Sequence, residues 1–122
     1  MNDRFKFRCF YDDDKTMYYH NFWEIPNTSK EEVAHLMQCT GLKDKNGKLI
    51  YEGDIVEVFH VSSTMQGRKF KDLVYFEKKY PSFQLKENGF IQEDDLIEVI
   101  GNIYENEELL NEQLRKNKIN EL

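Results

Sequence analysis

The N-terminal residues of this chain alternate between apolar and basic side chains. Between residues 4 and 9, aromatic and thiol side chains at odd positions alternate with arginine and lysine at even positions. A period of two puts the apolar side chains on one face of a half-buried strand. Residues 12–15 (DDDK) interrupt this pattern, and residues 17–25 are rich in Tyr, Phe and Trp. The two segments therefore predict a β-hairpin around an acidic turn.

A capping box follows the predicted hairpin. Residues 28–29 (TS) precede residues 31–32 (EE) by three positions, the spacing at which a hydroxyl and a carboxylate satisfy unpaired backbone donors at a helix N-terminus. The apolar positions within residues 33–37 then recur at the spacing of one helix face. These two signals predict a short helix over residues 30–38.

Turn signals punctuate the middle of the chain. Asn46 and Gly47 both tolerate positive φ, so the pair predicts a tight type I′ turn. Gly41, Gly53 and Gly101 are interpreted as turn glycines with backbone conformations that a β-carbon would strain. Strands are predicted between these turns, at residues 55–59, 70–76, 82–86, 90–92 and 96–104.

Several short strands separated by close turns predict a mainly β (α+β) protein, built on a small SH3-like antiparallel barrel or a bent sheet instead of βαβ units. A C-terminal helix is predicted because Asn106 can cap it and leucines at positions 109, 110 and 114 form an apolar stripe. We expect one domain over residues 1–122, comprising a hairpin and short helix (1–40), a barrel-like β part (41–104) and the C-terminal helix (105–122).

Composition favours one packed core. The 122 residues include nine Phe and seven Tyr, which supply the bulk that a small core needs. No run of about 18 apolar residues is present, and the N-terminus lacks the apolar segment of a secretion signal. Cys9 and Cys39 are too few for a disulfide framework. We expect an intracellular protein with reduced, buried thiols and no membrane association.

Familiar catalytic and metal-binding patterns fail on spacing. The run from Gly41 is similar to a phosphate-binding loop. However, five residues instead of four separate Gly41 from Gly47-Lys48, and Leu49 stands where a hydroxyl is needed. The candidate zinc donors lack the paired spacing of a tetrahedral site; they are His20, His35, His60, Cys9 and Cys39. We attribute the spacing of His35 and Cys39 to chance and do not interpret the two residues as a catalytic base and its nucleophile. We predict no enzyme activity, no metal and no cofactor.

Charge is unevenly distributed. The formal net charge is −6, and the acidic excess lies in the C-terminal third, so no general basic face for nucleic acid is present. One locally basic segment, interleaved with aromatic residues, is the exception. Small barrels bind single-stranded nucleic acid on such surfaces. The basic residues of this segment are Arg68, Lys69, Lys71, Lys78 and Lys79.

Two sequence blocks resemble the signature blocks of the YopX family, small proteins encoded mainly by phages and prophages of Gram-positive bacteria. They are LMQCTGLKDKNGKLIYEGDIVEV (36–58) and LIEVIGNIYENEELL (96–110), and the opening KFRCFYDDDKTMYY (6–19) also fits. Cys39 stands where the family usually has an aromatic residue, and Glu107 where it often has proline. Neither departure disturbs the turn or strand pattern. The resemblance implies a mainly β fold with a barrel-like C-terminal part and a phage or prophage origin, but no reaction.

These observations lead to two main hypotheses and to a weaker third, a small hydrolase with an unrecognised site, which predicts a deep pocket with converging polar groups. The first is a non-enzymatic phage accessory protein in the cytoplasm of a bacterial host, which binds a host or phage protein or associates with itself, because exposed apolar strand edges pair with other chains. The alternative is a single-stranded nucleic-acid binder that uses the basic hairpin around residues 67–80. The first predicts an exposed apolar patch, and the second predicts a continuous basic groove.

Overall fold

The computed structural model describes residues 3–21, 23, 34–59, 69–79, 81–91 and 96–112. These residues are mainly β, with two antiparallel sheets and little helix, which confirms the predicted class. A 3-10 turn over Asp3–Phe5 precedes the strands β1 (Lys6–Tyr11), β2 (Thr16–Asn21), β3 (Ala34–Lys43), β4 (Leu49–Tyr51), β5 (Asp54–Phe59), β6 (Lys69–Glu77), β7 (Ser82–Leu85) and β8 (Leu96–Asn102).

The strands form two four-stranded sheets. The N-terminal sheet has the order β2-β1-β3-β4, and the C-terminal sheet has the order β7-β6-β5-β8. β1 pairs with β2 from Lys6 opposite Asn21 to Tyr11 opposite Thr16, which confirms the predicted N-terminal hairpin and its acidic turn. Neither sheet closes on itself within the described residues, so the predicted SH3-like barrel is not confirmed.

The helix predicted over residues 30–38 is wrong where the structure describes it. Residues 34–38 lie in β3, which pairs with β1 so that Met37 stands opposite Arg8. Met37 is 3% exposed and its neighbour Leu36 is 51% exposed, because successive strand residues point to opposite faces. A two-turn helix is marginal by itself, so pairing of this segment with β1 overrides it. The rest of the predicted helix, with its capping box, lies outside the described residues.

The turn between β3 and β4 differs from the predicted type I′. Gly47 has a φ of +83°, but Lys15 is the one non-glycine residue with positive φ in the described chain, so Asn46 lacks the required conformation. The N–H of Gly47 donates to the Asp44 carbonyl at 3.0 Å, and the N–H of Asp44 donates to the Lys48 carbonyl at 2.7 Å. This pattern fits a type I turn followed by a left-handed glycine. The Asp44 carboxylate stabilises it by accepting the N–H groups of Asn46 and Lys48.

Gly53 lies where three elements approach one another. Its φ is +88°, and a Cβ there would lie 2.8 Å from the sulfur of Met37. Its N–H donates to the Val74 carbonyl at 2.8 Å, and its carbonyl accepts the Ile103 N–H at 2.9 Å. The turn between β4 and β5 is therefore bonded to β6 and to the segment after β8. Gly41, inside β3, also has a positive φ of +85°.

A tight turn links β8 to the C-terminal helix. Asn106 Oδ1 accepts the N–H of Asn102 at 3.1 Å, and a Cβ on Gly101 would lie 2.5 Å from that oxygen. The Asn106 side chain thus closes this turn, and the Asn106 carbonyl accepts the Leu109 N–H at 3.0 Å where the helix begins. Residues 108–112 are helical, residues 105–107 belong to the turn before them, and the part of the predicted helix over 113–122 lies beyond the described residues.

The core lies between the C-terminal sheet and β4. Strands β5 to β8 begin within one residue of their predicted starts, because their alternating patterns are clear. Residues 90 and 91 lie outside the strands; there the strand predicted over 90–92 is wrong, since Leu85 and Gly89 pair directly and close a tight turn. The core residues are Ile50, Val56, Val58, Phe70, Val74, Leu85 and Ile97.

Candidate functional site

The basic residues of the predicted nucleic-acid surface lie at two ends of β6. Lys69 is the first residue of this nine-residue strand and Lys71 follows two positions later, whereas Lys78 and Lys79 come after its last residue. A strand of that length spans about 30 Å. Arg68 lies outside the described residues. The structure therefore separates these lysines into two pairs.

Glutamates neutralise the first pair. Lys69 Nζ lies 3.0 Å from Glu57 Oε1. Lys71 Nζ lies 3.5 Å from Glu112 Oε2, at the C-terminal helix. Glu57 stands directly between Lys71 and Glu98 in the strand register. Acidic and basic groups are thus mixed across the outer face of the C-terminal sheet, and its described residues offer no continuous positive strip to a phosphate backbone.

A shallow cleft of about 260 Å³ opens on the same face. This is smaller than the roughly 300–1,000 Å³ of sites that enclose drug-sized ligands. A second ion pair, between Lys45 and Glu98 at 3.8 Å, crosses its wall. With two lysines and two glutamates the lining has no formal net charge; it consists of Lys45, Glu57, Phe59, Lys69, Leu96 and Glu98.

The N-terminal hairpin presents exposed aromatic side chains on a strand without strong charges. Tyr18 is 42% exposed and Tyr19 is 57% exposed. β2 (TMYYHN) contains no Lys, Arg, Asp or Glu. Tyr18, Tyr19 and the outer edge of β2 are called the hairpin surface below. Other exposed apolar side chains are distributed over separate elements and include Leu42, Phe76, Phe90 and Leu96.

Both tyrosine rings of the hairpin surface are held by neighbours. The Tyr18 hydroxyl donates to Asp14 Oδ2 at 2.8 Å, and this hydrogen bond raises the pKa of Tyr18. The Tyr11 ring packs edge-on against Tyr18 with centroids 5.4 Å apart. Tyr19 packs edge-on against Tyr51 at 5.6 Å. Rings that are already positioned lose less conformational entropy when a partner binds.

A buried ion pair fixes the N-terminal sheet to the C-terminal sheet. Arg8 Nη2 lies 2.8 Å from Asp54 Oδ1, and the two side chains are 4% and 2% exposed. The same nitrogen donates to the Glu52 carbonyl at 3.1 Å. Asp54 Oδ2 accepts the Tyr51 N–H at 2.7 Å. Burial raises the pKa of the Asp54 carboxyl, and the Arg8 guanidinium opposes that effect.

Tyr51 connects this ion pair to the hairpin surface. The Arg8 guanidinium lies 4.8 Å from the centre of the Tyr51 ring, and the same ring packs edge-on against Tyr19. Burial raises the pKa of Tyr51 to about 12, so its hydroxyl stays neutral at physiological pH. The position of Tyr19 is thereby coupled to the contact between the two sheets.

A second contact between the sheets is aromatic. The Tyr104 ring, in the turn after β8, stacks on Phe10 at 5.3 Å and on His35 at 4.6 Å. Phe10 and His35 are cross-strand neighbours in β1 and β3, so one ring covers both. His35 Nε2 also lies 3.0 Å from Asp12 Oδ2. These contacts explain His35 as a structural residue.

His35 and Cys39 do not form a catalytic pair. Both lie in β3, where four residues of strand separate them by about 13 Å. Burial raises the pKa of both the Cys9 and the Cys39 thiols, which disfavours the reactive thiolate. Within the part of the chain that the structure describes, no group of three or more His, Cys, Asp or Glu side chains could hold a metal ion.

These features define a small two-sheet antiparallel β protein with an aromatic N-terminal hairpin. The sequence profile of the YopX protein family matches residues 11–111. The chain therefore belongs to the YopX family, which confirms the resemblance found in its sequence blocks.

Among solved structures, the chain is similar to protein EF1440 from Enterococcus faecalis. The two are 25% identical with a TM-score of 0.60, and the match covers 86% of this chain and 96% of that one. No curated protein matches the sequence. Among the described residues, no helix is long and apolar enough to cross a membrane.

Proposed function

We propose that this YopX-family protein is a non-enzymatic phage or prophage accessory protein, and that it binds another protein through the hairpin surface. The observation that supports this most directly is the pair of exposed tyrosines, Tyr18 and Tyr19, on a strand without strong charges. The phage origin and an action in the host cytoplasm rest on the family resemblance.

Tyrosine suits this role for physical reasons. A tyrosine ring contributes a large apolar area and a polar tip, and tyrosine is enriched among the residues that dominate binding energy at protein interfaces. Tyr18 is held by Asp14 and Tyr19 by Tyr51, so little further ordering is needed. On the outer face of the C-terminal sheet, in contrast, lysines face glutamates at 3.0 to 3.8 Å. That face supports the nucleic-acid alternative less well.

Site-specific photo-crosslinking tests the proposal. A photoreactive phenylalanine analogue placed at position 19 should crosslink a defined protein in host cells. The same analogue at Phe90, which is 61% exposed in a different region, is the matched control. Crosslinks of equal pattern from both positions would contradict the proposal.

Affinity measurements with the captured partner supply the second part of the test. Tyr19→Ala should weaken binding at least about tenfold, as expected for an interface tyrosine that contributes more than about 1.4 kcal/mol. Phe90→Ala should leave the affinity unchanged. Because Tyr19 contacts Tyr51, the circular dichroism and melting temperature of Tyr19→Ala must match those of the wild type. Unchanged affinity in a folded Tyr19→Ala variant would place the interface elsewhere.

A further inference from the structure

The chain contains two Asn-Gly pairs, and the structure places them in different environments. They are Asn46-Gly47, in the turn between β3 and β4, and Asn88-Gly89, in the turn after β7. Asparagine is a thermolabile residue because its side-chain amide can be lost spontaneously. A following glycine favours this reaction, since no β-carbon shields the next backbone nitrogen and the chain bends freely towards the side chain. The two pairs therefore share one chemistry under different structural restraints.

Asn88 is held by a buried carboxylate. Its Nδ2 donates to Asp72 Oδ2 at 2.6 Å, and Asp72 is 1% exposed. The Gly89 N–H, which belongs to the nitrogen that would attack, donates to the Leu85 carbonyl at 2.8 Å. The Asn88 side chain must therefore break a short hydrogen bond to a charged partner before it can turn towards its own glycine.

Asn46 is held less firmly. Asn46 and Gly47 are both exposed, and Asn46 Nδ2 lies 3.3 Å from Glu98 Oε2, at the long end of the range for a hydrogen bond. The Glu98 side chain is itself 35% exposed and also contacts Lys45 at 3.8 Å. The Gly47 N–H donates to the Asp44 carbonyl at 3.0 Å. The main restraint on this pair is therefore the backbone of the turn.

We propose that Asn46 is a site of spontaneous modification in the folded protein, and that Asp72 protects Asn88 from the same reaction. The backbone nitrogen of Gly47 attacks Cγ of Asn46, and the new N–C bond closes a succinimide ring. The side-chain nitrogen leaves as ammonia, together with the proton that the Gly47 nitrogen loses. Water then opens the ring at either carbonyl, which gives aspartate or isoaspartate. Water is the co-reactant, and no atom is oxidised or reduced.

The turn that contains Asn46 is bonded to β8. The Lys45 N–H donates to the Ile97 carbonyl at 2.8 Å, and the Val99 N–H donates to Asp44 Oδ2 at 3.0 Å. These bonds require the backbone of the turn to keep its present path. A chemical change inside the turn therefore acts on its contact with the C-terminal sheet.

Both products of the reaction alter this turn. Each places a negative charge where the Asn46 amide now donates to Glu98, and like charges at that separation repel each other. Isoaspartate also adds a methylene group to the backbone of a tight turn. Modification of Asn46 thus loosens the turn from β8.

Peptide mass mapping of the ageing protein tests the site. The full-length chain is incubated at mildly alkaline pH, folded and in urea, and conversion of each asparagine is followed with time. In the folded protein Asn46 should convert at least about tenfold faster than Asn88, the factor expected when one site must first break a hydrogen bond to a charged group. In urea the ratio should fall, because the bond to Asp72 is lost. Equal rates in the folded protein, or a ratio that urea leaves unchanged, overturn the inference.

Asp72→Asn provides a direct test of the protection. It removes the charge that holds Asn88, so conversion of Asn88 should accelerate while conversion of Asn46 stays the same. An unchanged Asn88 rate in a folded variant would contradict the role given to Asp72. If the variant does not fold, the comparison of folded and urea-treated wild type still decides the question.

Amide hydrogen exchange tests the consequence for β8. The modified chain carries one more negative charge than the formal −6 of the original, so ion exchange separates it. The Val99 amide, which donates to Asp44, should exchange about two- to tenfold faster in the modified chain, the factor for one weakened hydrogen bond. The Gly53 amide, which donates to Val74, is the control and should be unchanged. An unaltered Val99 rate would overturn the proposed effect on β8.

Discussion

The ion pair between Arg8 and Asp54 joins the two sheets, and Asp54→Asn tests its contribution to stability. Asparagine keeps the size of the side chain and one oxygen for the Tyr51 N–H, but it removes the negative charge. The Arg8 side chain is 4% exposed, so its charge would remain buried without a counterion. Removing one partner of a buried pair typically costs about 3–5 kcal/mol. That is a large fraction of the roughly 5–15 kcal/mol by which domains are stable.

A double-mutant cycle separates the ion pair from other effects. Arg8→Met removes the charge while keeping an apolar side chain of similar length, and the double variant Arg8→Met/Asp54→Asn leaves no charge uncompensated. The double variant should therefore be less destabilised than the sum of the two single variants. We expect a coupling free energy at the upper end of the roughly 0.5–3 kcal/mol found for contacting residues.

Urea unfolding followed by circular dichroism is the assay. Glu57→Gln is the matched control, because its partner Lys69 is 63% exposed at the side chain and an exposed pair contributes only about 0.2–1 kcal/mol. The reasoning is refuted if Asp54→Asn costs no more than Glu57→Gln. That result would mean that other contacts, such as the aromatic stack on Tyr104 and the core contact of Ile50, fix the sheets to each other.

Four further predictions concern the turns, pH, salt and additives. Gly47→Val should destabilise the fold by about 1–3 kcal/mol through positive φ alone, since a Cβ there meets nothing within 4 Å. Gly53→Ala should cost more in the same urea assay, because it adds a clash with Met37. Burial acts to raise the pKa of Asp44, but N–H groups that include that of Val99 outweigh it and lower the pKa below 3.8. The ionised Asp44 carboxylate therefore stabilises the fold above that pH, and this stabilisation is lost as the pH falls through the lowered pKa of Asp44 in the folded protein. Asp44→Asn should accordingly flatten the acid side of a curve of stability against pH. Fluorescence anisotropy with a mixed single-stranded oligonucleotide should detect no binding at low micromolar protein and physiological salt; a steep salt dependence that substitution of Lys69 and Lys71 by glutamine reduces would support the nucleic-acid alternative instead. Finally, EDTA and dithiothreitol should each leave the melting temperature unchanged, and a fall of more than about 4 °C would reveal a structural metal or disulfide.

The longest strand of the C-terminal sheet could be predicted because one of its faces is buried and the other carries charge. In this strand, which is β6, Phe70, Asp72 and Val74 are buried, whereas the residues between them are partly exposed. β3 could not be predicted in this way. Its residues Leu36 and Met37 are adjacent apolar positions on opposite faces, and short segments with such pairs fit a helix and a strand equally well.

The ion pair between the two sheets also could not be predicted from the sequence pattern. Alternation in β1 assigns Arg8 to the solvated face, yet the three central residues Arg8, Cys9 and Phe10 are all buried. The second face is covered only because β4, β5 and the turn after β8 pack against it, a tertiary fact that a period of two does not encode. The sequence predicts a turn at the neighbouring Gly53, and the Asp54 carboxylate does bond to that turn at Tyr51. Nothing in its neighbours along the chain indicates an arginine 46 positions earlier.

The hairpin surface can be recognised only when the sequence pattern and the exposure of its side chains in the structure are considered together. With 33% charged residues in the chain, a six-residue segment carries about two charges on average, and a segment without any is not rare. Burial would normally explain such a segment, since uncharged aromatic strands usually lie in a core. Here the structure removes that explanation, because Tyr18 and Tyr19 are 42% and 57% exposed. An uncharged strand that is both exposed and at a sheet edge retains a cost in solubility. A contact made by that strand in the working protein is the physical reason we infer for its persistence.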